Sequence, residues 1–184
     1  MTDTMKAAGF FTLQVKKADG TIRKQFAEFK WAHKLRLAGY ALPNIFGLTG
    51  LYANSVGVKN LVTNAGFAGI AARIGSDSTE VLFNYIATGT GTNAANASDT
   101  TLQTELASSG LTRATGTVSR VTTSVTNDTH QVAKTFTVTG TQAVTEVGLL
   151  NASSSGVLLG RNVFSAVNVV NGDSLAVTYQ VKVA

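Results

Sequence analysis

The nine residues from Leu175 to Val183 constrain this chain more than any other stretch. Leu175, Val177, Tyr179, Val181 and Val183 alternate with Ala176, Thr178, Gln180 and Lys182. A strict period of two is the signature of a strand with one face buried and one face wet. The preceding Asn171-Gly172-Asp173 is a tight-turn signal. Before it, Val157–Phe164 and Thr141–Leu150 read as two more strands, parted by Ser153-Ser154-Ser155-Gly156. Such strands need a second layer to cover them, so the rest of the chain must supply a partner sheet.

Composition fits that demand. Only 14% of the 184 residues are charged, and the surface material is threonine, serine and asparagine, as in β-rich proteins. The length suits one domain, or one domain with an arm. The absence of cysteine excludes disulfides and thiolate metal sites. No apolar run reaches the roughly 18 residues of a membrane span, and Met1–Ala8 has no signal-peptide core. The expectation is a protein made in the cytoplasm that does not enter membranes.

Charge is unevenly placed. Residues 1–36 hold eight basic side chains (Lys6, Lys16, Lys17, Arg23, Lys24, Lys30, Lys34, Arg36) against Asp3, Asp19 and Glu28, which accounts for the whole net charge of +5. Residues 37–184 carry seven charges of each sign. Phe10–Val15 and Thr21–Trp31 flank the turn signal Ala18-Asp19-Gly20 and read as a hairpin with a basic wet face. Residues 33–48 are too apolar for a free loop, and Pro43 with several glycines excludes a long helix there. The expected division is therefore a basic N-terminal hairpin and arm over 1–58 and a β-sandwich domain over 59–184. The arm is the expected partner surface, through Lys16, Lys17, Arg23, Lys24, Trp31, Lys34, Leu35, Arg36, Leu37, Tyr40, Leu42 and Phe46. The same arm could instead fold back over its own sandwich. A nucleic-acid role is set aside, because its interleaved aromatics serve equally as a hairpin core.

In the middle of the chain, Phe67, Ile70, Ala71 and Ile74 recur at helical spacing after a capping Thr63 or Asn64. A second helix is expected over Asp99–Ser108, with Leu102 and Leu106 inward. Glu80–Thr88 reads as a strand, and Arg113–Thr126 with Thr129–Thr139 as a long hairpin about Asn127-Asp128.

Chemistry is sparse. Gly89-Thr90-Gly91-Thr92 after a strand suggests a phosphate turn but lacks the third glycine of a dinucleotide fingerprint and the Gly-Lys-Ser/Thr of a P-loop. His33 and His130 stand in unrelated segments, with His130 expected to be exposed beside a turn. Asp77 and Glu80 are close in sequence, which a turn beside a strand explains. Glu105 with Arg113, and Glu146 with Arg161, are the expected structural ion pairs. No catalytic, cofactor or metal site is expected.

Several short motifs nevertheless recur together: Asn60–Gly66, Tyr85-Ile-Ala-Thr-Gly-Thr-Gly-Thr92, Thr101-Leu-Gln-Thr-Glu105, Arg113, Val144-Thr-Glu-Val-Gly-Leu-Leu150, Gly160-Arg-Asn-Val-Phe164 and Asn171–Tyr179. This succession, over residues 59–184, resembles a pattern in virion structural proteins of tailed bacteriophages. The resemblance implies an antiparallel β-sandwich, of jelly-roll or Ig-like winding, with no enzymatic activity and no cofactor. It implies a place in the virion, most readily as a capsid decoration or cement protein bound to the major capsid protein and forming homo-oligomers. A tail, baseplate or fibre component is the alternative. A carbohydrate-binding β-sandwich module is the alternative from a different class.

Overall fold

The computed structural model describes residues 7–24, 61–75 and 81–183. It is mostly β, with two antiparallel sheets and a helix. In chain order the elements are β1 (Ala7–Lys16), β2 (Ile22–Lys24), β3 (Leu61–Val62), α1 (Asn64–Ile74), β4 (Tyr85–Gly89), β5 (Ala114–Thr115), β6 (Thr117–Val121), β7 (Thr129–Thr137), β8 (Gln142–Leu150), β9 (Leu158–Val169) and β10 (Ser174–Val183). The first sheet runs β2-β1-β10-β7-β6 and the second runs β3-β9-β8-β4-β5.

The alternation in β10 sets the first sheet. Leu175, Val177, Tyr179 and Val181 are buried, each burial contributing roughly 1.5–3 kcal/mol, while Val183 at the strand end is exposed. Opposite them, Val132 and Phe136 of β7 and Phe11, Leu13 and Val15 of β1 turn inward. Val144, Val147 and Leu149 of β8 and Phe164, Val167 and Val169 of β9 meet these from the second sheet in one continuous core. Phe11 and Phe164 make contact across it, ring centroids 5.2 Å apart.

Among the described residues the chain crosses between the sheets three times, at β5–β6, β7–β8 and β9–β10. β5 pairs with β4 in the second sheet, and after Gly116 the chain continues as β6, paired with β7 in the first. The Asn171-Gly172-Asp173 turn is where the sequence places it. It carries the chain from β9 in one sheet to β10 in the other.

The expected separation of the N-terminal hairpin fails for the residues described. The hairpin itself forms, with Gln14, Val15 and Lys16 of β1 opposite Lys24, Arg23 and Ile22 of β2. But β1 also pairs with β10 along its whole length, from Ala7 opposite Val183 to Lys16 opposite Ser174. Phe11, Leu13 and Val15 belong to the shared core, so residues 7–24 are built into the first sheet. Residues 25–58 of the expected arm lie outside the described residues.

The helix starts where expected. The Thr63 hydroxyl accepts from the Gly66 N–H, satisfying one of the orphan donors of the first turn. The buried face differs in part from expectation: Ile70 packs against the core as expected. Gly66 and Gly69 are buried, with Gly66 pressed on the Leu159 backbone, while Phe67 and Ile74 are exposed. Glycine lets the helix axis approach β9 more closely than phenylalanine or isoleucine would.

Candidate functional site

Tyr85–Thr92, Thr101–Glu105, Val144–Leu150 and Gly160–Phe164 meet on the outer face of the second sheet, which is covered, while Asn171–Tyr179 leads into β10 of the first. β8 is buried continuously from Val144 to Leu150, without the alternation of a one-sided strand. The β8–β9 register shifts between Val144 and Glu146, so Val144 and Val147 both reach the central core although three residues apart. Glu146 is left on the other side, fully buried beneath the segment 90–106.

Glu146 holds that segment by its backbone. Its Oε1 accepts from the N–H of Gly91 at 3.0 Å and of Thr104 at 2.7 Å, and its Oε2 accepts from the Gln103 N–H at 3.0 Å. Arg161, also buried, donates through Nε to Glu146 Oε2 at 2.7 Å. Its other nitrogens reach out to the segment: Nη1 donates to Asp99 Oδ2 at 2.8 Å and Nη2 to the Asn93 carbonyl at 3.2 Å. Thr145 adds a hydroxyl bond to the Gly91 carbonyl. Burial opposes the charge of Arg161, but the hydrogen bonds it donates to Asp99 and Glu146 outweigh it and raise its pKa above the ordinary value. The arrangement is a clasp: two strands present a paired acid and base, and a loop is buckled onto them.

This geometry explains the Gly-Thr-Gly-Thr motif. A Cβ on Gly89 or on Gly91 would collide with the Glu146 side chain, so glycine at both positions lets the loop come down onto the carboxylate. Their role here is to approach a protein carboxylate. Leu102 pins the same segment with apolar contacts, in a satellite cluster with Ala87, Leu150 and Leu158. A second pair closes the edge. Arg113 donates to both oxygens of Glu105, at 2.8 and 2.5 Å, and to the carbonyls of Ala152 and Ser155. Both ion pairs expected from sequence are therefore present, and both tie a loop to the sheet.

The helix expected over Asp99–Ser108 does not form. The N–H groups of Gln103 and Thr104 bond to Glu146, and the Leu106 N–H to the Thr88 carbonyl, so this stretch lies extended along the end of β4. Leu102 and Leu106, four apart, give a helical spacing, but an acid 42 residues beyond Thr104 claims the donors. His130 is half-buried, its Nε2 2.9 Å from the Phe83 carbonyl, where exposure was expected. The β4 strand begins at Tyr85, later than the apolar run suggested.

Of the expected partner-binding residues, Lys16 is exposed at the end of β1. Lys17 is half-buried and donates to Asp173 Oδ2 at 2.8 Å. That hydrogen bond, helped by the Val170 N–H, holds the Asp173 carboxyl below the usual carboxylate range. Lys17 thus anchors the β1 turn to the crossing turn between the sheets. Arg23 and Lys24 lie on β2, at the edge of the first sheet. Trp31, Lys34, Leu35, Arg36, Leu37, Tyr40, Leu42 and Phe46 lie outside the described residues, as do His33, Asp77 and Glu80.

The charged groups of the clasp are bonded to one another and to backbone. Among the described residues no three histidine, aspartate or glutamate side chains gather as metal ligands, and no helix is long and apolar enough to cross a membrane. Comparison with known proteins found no matching family model, no similar curated protein and no similar solved structure.

Proposed function

We propose that this protein is a non-enzymatic β-sandwich component of a tailed-bacteriophage virion, a decoration or cement protein that binds the assembled shell. The observation that carries the reading is the convergence of five of the resemblance motifs, from Tyr85–Thr92 to Gly160–Phe164. Gly89, Gly91, Glu105, Arg113, Glu146 and Arg161, scattered over more than 70 residues of sequence, join in two neighbouring ion-pair networks that fix loops on one sheet. Conserving shape rather than reactivity is what a component present in many identical copies requires. A rigid scaffold that positions loops is also a platform for contacts with neighbours.

Within that reading the principal contact is the basic N-terminal segment beyond β2, with the major capsid protein as the favoured partner. Lys17 is excluded from it by its bond to Asp173. Removing residues 1–58 would strip β1 from the core, so the contact is better tested by charge reversal. Lys34→Glu with Arg36→Glu should weaken particle attachment while leaving the melting temperature unchanged. A symmetric reconstruction of the particle, or immunogold labelling, should place the protein on the shell. Density on the tail or baseplate would transfer it to the alternative station in the same virion. Binding to a glycan array with no particle association would overturn the virion reading in favour of a carbohydrate-binding module.

A further inference from the structure

Asn171-Gly172 is the single Asn-Gly dipeptide in the sequence. Every other asparagine is followed by a residue that carries a side chain. The dipeptide forms the exposed tip of the turn that leads from β9 to β10, and so from one sheet to the other. Gly172 holds φ at +90°, and it has no Cβ to shield its amide nitrogen from the neighbouring side chain. From the exposure of Asn171 and the bareness of Gly172 we infer that Asn171 is this chain's site of spontaneous deamidation.

The chemistry needs only water. The Gly172 backbone nitrogen gives up its proton and attacks Cγ of Asn171. A nitrogen–carbon bond forms, the Cγ–Nδ2 bond breaks, and the amide nitrogen leaves as ammonia with the displaced proton. Water then opens the five-membered succinimide at one of its two carbonyls. One opening gives aspartate, and the other gives isoaspartate, whose main chain runs through the former side-chain carbon. Net, an amide and water become an acid and ammonia.

The surrounding structure both restrains the reaction and makes its outcome matter. The Gly172 N–H donates to the Val138 carbonyl at 2.9 Å, and the Asp173 N–H to the Val170 carbonyl at 3.1 Å. The first of these keeps the attacking nitrogen protonated, so the folded turn converts more slowly than an unfolded chain. After conversion, a new carboxylate stands two residues from Asp173, whose own carboxylate is buried and bound by Lys17. The isoaspartate product adds a backbone carbon at the crossing and displaces both of those amide bonds.

The test is ageing of the full-length protein in warm, mildly alkaline buffer, followed by peptide mapping and enzymatic methylation of isoaspartate. The peptide holding Asn171 should convert before any other, with isoaspartate as well as aspartate among its products, and Asn171→Gln should remove that early signal. Conversion of another asparagine first, or an undiminished isoaspartate signal in the Asn171→Gln protein, would overturn the assignment.

Discussion

The two sheets bury their inner faces in the same way and treat their outer faces differently. On the first sheet the outer side chains of β10 (Ala176, Thr178, Gln180 and Lys182) are only partly buried, and they form a hydroxyl and amide surface in which Gln180 bonds Gln131 and Gln131 bonds Ser119. On the second sheet the outer face is roofed by the segment 90–106, and the groups beneath it include a fully buried carboxylate. One sheet keeps water on its back, while the other covers its back with a polar network whose centre, Glu146 with Arg161, is buried. The lesson is energetic. A wet face tolerates substitution, whereas a covered ionic face depends on every partner being present, because an unpaired buried charge costs several kcal/mol.

The largest expected effect comes from breaking the clasp on one side. Arg161→Met leaves Glu146 buried without its cation and should cost about 3–5 kcal/mol of stability by chemical denaturation. Adding Glu146→Leu should recover only a small part of that loss, because the orphaned charge is removed but the Gly91, Gln103 and Thr104 N–H groups lose their acceptor. If Arg161→Met costs no more than a surface substitution, the second sheet is not held as described.

An intermediate effect belongs to the ion pair between β1 and the crossing turn. Asp173 is held below its ordinary value of 3.8, chiefly by Lys17. A depressed carboxylate contributes stability that is present above the ordinary value and lost as pH falls through the lowered one. Lys17→Met should cost about 1–3 kcal/mol at neutral pH, and should move the acid limb of the stability profile to higher pH. An acid limb that stays in place would assign the depression to the backbone N–H groups of Val170 and Ala18.

The smallest effect is expected on the wet face. Thr178→Ser on β10 should shift stability by less than about 0.5 kcal/mol. A loss comparable with that of Lys17→Met would mean that the outer face of the first sheet is covered too.

The same contrast explains what could be read in the sequence. β10 was legible because one face is wet, so burial writes itself as alternation. β8 was recognisable as a strand, but its covering was not, since a strand buried on both sides loses its period. The pairs Glu105–Arg113 and Glu146–Arg161 were legible because a lightly charged chain offers few partners to choose from. What Glu146 does to the segment 90–106 was hidden, since its bonds go to backbone N–H groups, which every residue type except proline provides. α1 was found by its cap and its spacing. Its buried face was partly misjudged because hydrophobicity ranked Phe67 and Ile74 above Gly66 and Gly69, while the fit against β9 was decided by bulk. The place of β1 was hidden for a different reason: its partner β10 lies at the far end of the sequence, and the local charge gradient pointed to a separate arm.

The pairing of β1 with β10 also has a mechanical meaning. Ala7 lies opposite Val183, so the two ends of the described fold leave from neighbouring positions on adjacent antiparallel strands. Tension between them would open the β1–β10 ladder one residue pair at a time, like a zip, where two ends at opposite poles would load all its hydrogen bonds together in shear. The fold is thus softest to a pull on its own two ends. It is far better placed to bear load that enters through the faces of its sheets.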